Sequence, residues 1–170
     1  MRLEEALRKF LEALRRVELA ACVFALLLLA AVLFGDVLAR ALTGSGLVWA
    51  RQVAVFAGVA VATLGLGLAM AAGEQLRPRF ADHWLPSAWN ATVRRAGNLL
   101  AASAHAAFAW LGVLLVVETA QLGELSTVLR IPLWPVQALL PLGFAIAALR
   151  HVCWAAYPGL QPPEHAGVAE

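Results

Sequence analysis

Twenty consecutive uncharged residues, Val53 to Ala72, follow Trp49, Ala50, Arg51 and Gln52 and end at Gly73, Glu74 and Gln75. At 1.5 Å rise per residue such a run covers the roughly 30 Å hydrocarbon core of a bilayer, so it predicts a transmembrane helix. Three further apolar runs, near Leu19–Leu38, Leu99–Val117 and Leu133–Trp154, leave no room for a separate soluble domain in 170 residues. The predicted fold is therefore all-α and integral to the membrane: one compact four-helix domain over residues 1–157, with spans at about 19–38, 53–72, 99–117 and 133–154, and a flexible tail over 158–170.

Composition agrees. The chain is 62% hydrophobic and 14% charged, with mean hydropathy +0.77, whereas an ordinary soluble domain is about 25% charged. A net charge of +2 offers no broad basic surface, and no nucleic-acid motif is present. Cys22 and Cys153 are the only cysteines and are expected at the same end of their helices, where a structural disulfide is not anticipated.

Before the first span, Leu3, Leu7, Phe10, Leu11, Leu14 and Val17 recur at helical spacing. Glu4 with Arg8, Glu5 with Lys9 and Glu12 with Arg16 form i,i+4 pairs with the acid first. An amphipathic interfacial helix is predicted, lying along an anionic lipid surface before the chain turns inward. A second, short interfacial helix is predicted between spans 2 and 3, where Leu76, Phe80 and Trp84 share a face. Asp36 and Arg40 read as a helix-end anchor, and Thr43 to Gly46 as a tight turn that makes spans 1 and 2 antiparallel neighbours. In the second span, Ala54, Gly58 and Ala62 lie along one line and Gly65, Ala69 and Gly73 along another. Small residues at four-residue spacing predict close helix packing, within the bundle or with a partner. Pro135, Pro141 and Gly143 predict an irregular first half for the fourth span.

Charge placement orients the chain. Arg2, Arg8, Lys9, Arg15, Arg16, Arg77, Arg79, Arg94, Arg95 and Arg150 fall on one side, and only Arg40, Arg51 and Arg130 on the other. The positive-inside rule then predicts two cytoplasmic termini. Arg15, Arg16, Arg40, Arg77, Arg79, Trp84, Arg94, Arg95 and Trp154 are the expected anchors at the membrane interfaces, with Trp49 and Trp134 at the outer boundary.

None of the four apolar cores is expected to carry a charge, Arg150 and His151 being read as closing the fourth. That argues against a pump or coupled transporter working alone. No nucleophile, base and orienter set is visible, so no enzyme, cofactor or metal site is predicted. One rival remains: a membrane-anchored haem or redox carrier using His105 and His151. What the residues support best is a four-helix membrane subunit that works by contact.

Asp36, Val37, Leu38, Ala39 and Arg40, then Gly46 and Trp49, then Gly73 to Arg77, and Leu129 to Trp134 followed by Leu140 to Phe144 resemble the small membrane subunit of TRAP transporters, the DctQ-type permease component. The resemblance covers about residues 15–155. It departs where Arg51 and Gln52 stand in place of an acidic pair the family often carries. The resemblance implies a large DctM-type membrane subunit, a periplasmic DctP-type binding protein, membrane lipids around the pair, and gradient-driven organic acid uptake across a bacterial inner membrane. It further implies a scaffold role for this chain; the predicted outer loops then make Trp49, Arg51, Gln52, Arg130 and Trp134 the candidate docking residues, and the small-residue spacing of the second span makes Gly58, Gly65, Ala69 and Gly73 the candidate packing residues.

Overall fold

The computed structural model describes residues 2–73 and 90–162. Among these the chain is all-α, apart from an isolated β-bridge between Leu125 and Pro132. Five helices follow in order: α1 Arg2–Thr43, α2 Ala50–Ala71, α3 Asn90–Gln121, α4 Trp134–Gln137 and α5 Leu139–Ala156. Four segments are long and apolar enough to cross a membrane, with α4 and α5 together forming the fourth.

No break separates the amphipathic N-terminus from the first span. The 42 residues of α1 make a helix about 63 Å long, roughly twice the hydrocarbon thickness. The inward turn expected near Val17 is absent, because nothing there stops a helix: residues 11–22 contain neither Gly nor Pro and are rich in Leu, Ala, Arg and Glu. Gly44 ends α1 at φ +77°, with its N–H donating to the Arg40 carbonyl at 3.0 Å. Gly73 likewise lies just past the end of α2 at φ +80°, its N–H donating to the Met70 carbonyl at 3.1 Å. Its place is thus that of a helix-terminating glycine, the left-handed conformation that a side chain resists.

The irregularity expected in the fourth span is a break at Ala138. Pro141 has no N–H to give the Gln137 carbonyl, so α4 stops there and α5 resumes one residue on. Pro141 itself is buried against α3 at Gly112, where an added Cβ would lie 3.0 Å from the Pro141 Cβ.

The helices do not enclose a shared core. The principal packing runs α1 on α2, α2 on α5 and α5 on α3, so the helices stand in a row with α1 and α3 at the edges. Burial follows that order: 11% of the most apolar window in each edge helix is buried, against 22% in α2 and 33% in the α4–α5 span. The compact bundle expected from length alone is replaced by this row. Lipid solvates an apolar side chain as well as another helix does, so nothing drives four spans to close around a centre.

The small-residue prediction for α2 is redistributed by the same geometry. Its buried positions are Ala50, Ala54, Ala57, Gly67 and Met70. A Cβ added at Gly58 or Gly65 would meet nothing within 4 Å, and Ala69 is only half-buried. α2 and α5 approach closely at Gly143, where a Cβ would collide with the Thr63 methyl.

Residues 158–162, expected to begin the tail, pack as a 3-10 turn at Pro158–Leu160 and a hydrogen bond from Asn98 Nδ2 to Gln161 Oε1 at 3.3 Å. The short interfacial helix predicted around Leu76 to Trp84, with Arg77 and Arg79, lies outside the described residues.

Candidate functional site

Two polar clusters sit at opposite ends of the row. At one end, the α1–α2 turn closes over the last turn of α1. Asp36 Oδ2 pairs with Arg40 Nη2 at 2.6 Å while Asp36 Oδ1 accepts the Leu47 N–H at 2.6 Å. Gly46 makes that closure possible, since a Cβ there would lie 2.6 Å from Asp36 Oδ1. Asp36 therefore holds the turn as well as pairing with Arg40.

Across the same end, Gln52 Oε1 accepts the N–H groups of both Val128 and Leu129 at 3.0 Å. These amides belong to the loop after α3, itself folded by a bond from Ser126 N–H to the Ile131 carbonyl at 2.8 Å and from Leu133 N–H to the Glu124 carbonyl at 3.1 Å. Ser126 is 1% exposed, and Arg130 takes φ +53° at the loop's tip. One side-chain oxygen thus fastens the loop to the start of α2. An acidic residue at position 52 would offer the same acceptor, so the amide found here keeps the fastening without the charge.

Between these fastenings lies an open cavity of about 600 Å³, lined by Asp36, Arg40, Arg51, Gln52, Thr127 and Val128 among others. Of the five docking residues expected from sequence, only Arg51 and Gln52 line it. Trp49 and Trp134 are exposed nearby in the chain, at 43% and 45%, and Arg130 is exposed on the loop.

At the other end, the expectation that no charge enters the helix row is corrected. Arg150 is 2% exposed and forms an ion pair with Glu18 of α1, which is 4% exposed. Its Nη1 also donates to the Gly67 carbonyl of α2 at 2.6 Å. The pair runs from α1 to α5 over α2, and Gly67 is the notch it passes through: a Cβ there would lie 3.0 Å from Glu18 Oε1 and 3.3 Å from Arg150 Nη1. Glu18 was not singled out by sequence reading, because it adjoins the charged N-terminal segment. The available signal was position along the spans: an acid at the start of one apolar run and a base four residues before the end of another fall at the same level when their helices run antiparallel.

Beside this pair, α3 and α5 share a second polar contact. His151 Nδ1 lies 3.2 Å from Asn98 Oδ1, His105 Nδ1 lies 2.7 Å from the Ala101 carbonyl, and the two imidazole centroids are 5.3 Å apart at 31°. Trp154, expected as an interface anchor, is 3% exposed and meets His151 edge to face. Arg15, Arg16, Arg40, Arg94 and Arg95 are exposed. The two rings proposed for a haem carrier face each other directly, with one nitrogen of each held by α3, so a macrocycle has no gap to occupy between them. Among the described residues no group of three or more His, Cys, Asp or Glu is placed to hold a metal ion.

The arrangement binds helices to helices and a loop to a helix, and it leaves both apolar faces of the row outward. The family described as tripartite ATP-independent periplasmic transporters, DctQ component, matches residues 29–157. That span includes the Asp36 turn, Gln52, Gly67, His105 and Arg150. No curated protein matches the chain. With about three quarters of its length matched, and with four membrane-crossing segments in place, the chain belongs to the family of DctQ components of tripartite ATP-independent periplasmic transporters.

Proposed function

We propose that this chain acts as a static membrane wall for the large transport subunit of its system and helps dock a periplasmic substrate-binding protein during ion-gradient-driven organic acid uptake. The observation that carries the reading is the row of helices itself. Large apolar side chains are exposed on α1, α2, α3 and α5, among them Phe24, Phe34, Val55, Phe108, Trp110 and Leu142. A row with two apolar faces can lie flat against another membrane protein on one face and meet lipid on the other.

Rigidity supports the same role. The buried charges Glu18 and Arg150 satisfy one another, which suits a fixed brace better than a group that must bind and release an ion. In this reading the chain lies in a bacterial inner membrane with both termini in the cytoplasm, the orientation that the positive-inside rule predicts. The Asp36 end then faces the periplasm, and Arg51 beside the 600 Å³ cavity supplies a cation for an acidic patch on the binding protein, Arg40 being paired with Asp36.

Reconstitution tests this directly. Proteoliposomes containing this chain alone should show no gradient-driven organic acid uptake. Adding the large subunit and binding protein should restore it, and Arg51→Glu should lower coupled uptake while the two membrane subunits still copurify. Uptake by the chain alone would overturn the scaffold reading, and unchanged uptake in Arg51→Glu would remove the docking assignment.

A further inference from the structure

At the Arg150 end, a cavity of about 340 Å³ lies between α1, the ends of α2 and α5, and the C-terminal 3-10 turn. Its charged lining is Arg8, Glu12, Arg15 and Arg150, and its apolar lining includes Leu11 and Leu160. The α1 members recur at i, i+3, i+4 and i+7, so they share one helix face. The 3-10 turn closes the outer wall by approaching α1: a Cβ on Gly159 would lie 3.2 Å from Glu4 Oε1.

Charge and depth together restrict the occupant. Arg150 is already neutralised by Glu18, and Glu4 stands at the outer wall one helical turn from Arg8, so Arg15 is the cation of the lining nearest the bilayer, with Glu12 as the carboxylate beside it. The apolar run of α1 begins at Leu19. From Glu18, Arg15 stands about 4.5 Å and Arg8 about 15 Å further out along the helix axis. The polar layer on each side of the hydrocarbon is roughly 5–7 Å thick. Arg15 therefore falls within the phospholipid headgroup layer and Arg8 on its water side.

We infer that this cavity binds the phosphodiester of a membrane glycerophospholipid, held by Arg15 with Arg8 reaching in from the water side, and with the glycerol and upper acyl carbons directed inward past Ala71 and Trp154. Guanidinium groups suit the site because they offer several donors in a plane to phosphate oxygens. A lipid occupant would also tie α1 to the C-terminal turn, two elements that no covalent or buried ionic link joins at this level among the described residues.

Native mass spectrometry of the full chain in detergent micelles provides the test, with phosphatidylglycerol, phosphatidylcholine or soluble glycerol phosphate added. The expected result is one retained phosphatidylglycerol, with retention about tenfold weaker, or about 1.4 kcal/mol, in Arg15→Gln and also reduced in Arg8→Gln. Glu12→Gln should strengthen retention, because it removes an opposing charge from the lining. All three side chains are exposed, and unchanged thermal unfolding of the variants in lipid-free micelles confirms that their folds are intact. Equal retention by wild type and both arginine variants would overturn the site, as would weaker retention in Glu12→Gln. Glycerol phosphate binding as tightly as the lipid would overturn the lipid as its source.

Discussion

Replacing Arg150 by Met should be the most damaging single change to the helix row. Arg150 and Glu18 side chains are 2% and 5% exposed, so the substitution leaves a carboxylate buried among α1, α2 and α5 without its cation. Removing one partner of a buried pair costs about 3–5 kcal/mol in soluble proteins. Insertion scales assign roughly 2.5–3.5 kcal/mol to a charge at mid-span. The pair lies near the span ends rather than at the middle, which favours the lower part of the first range, about 3 kcal/mol. Glu18→Leu should cost a similar amount, since it strands the guanidinium with only the Gly67 carbonyl. The double variant removes both charges and leaves Gly67 with an ordinary helical carbonyl, so it should lie within about 1 kcal/mol of wild type. The assay is unfolding of the four proteins in mixed micelles by titrated sodium dodecyl sulfate, followed by circular dichroism. With the double variant within about 1 kcal/mol of wild type, a coupling energy of about 5 kcal/mol is expected. A double variant as unstable as the sum of the singles would refute the bridge as the link between α1 and α5.

Other consequences are local. Gly67→Ala brings a Cβ to 3.0 Å from Glu18 Oε1 and should destabilise the same bridge by about 1 kcal/mol in the same titration. Gly143→Ala should cost about 1–3 kcal/mol through its collision with Thr63, and Thr63→Ser should recover part of that by removing the methyl group. Gly65→Ala, whose Cβ meets open space, should leave the isolated chain as stable or more so, by up to about 1 kcal/mol of helix propensity. Loss of copurification with the large subunit in Gly65→Leu would then locate the partner on that face, and normal copurification would show that it meets lipid. Gln52→Ala should speed amide exchange at Val128 and Leu129 while Gln52→Glu preserves protection, and equal exchange in both variants would remove Gln52 from the loop's support.

The two ends of the row differ in how far they could be read in advance. Asp36, Arg40 and Gly46 are close in sequence, and their relation follows from helical spacing and a short turn, although the Leu47 amide as Asp36's second partner does not. Gln52 was legible as a distinctive position, but its role depends on a loop 76 residues further on. Glu18, Gly67 and Arg150 come from three helices, and nothing local to any of them indicates the others. The same holds for Gly58 and Gly65 against Gly67 and Gly143: periodicity identifies small residues, while only the neighbour present in space says which of them is needed.

Hydropathy and span length alone determined that this chain crosses a membrane four times, because the cost of an unsatisfied backbone in hydrocarbon forces each apolar run of that length into a helix. The charge asymmetry predicts an orientation, and the motifs around Asp36, Gly73 and Pro132 pointed to the family. The tertiary structure decided how the spans are ordered. Lipid offers apolar side chains nearly what a neighbouring helix offers, so burial does not select one arrangement of four similar helices. Close approach at Gly112 and Gly143, the loop fastened by Gln52, and one ion pair passing over Gly67 select it instead, and all of them join residues distant in sequence.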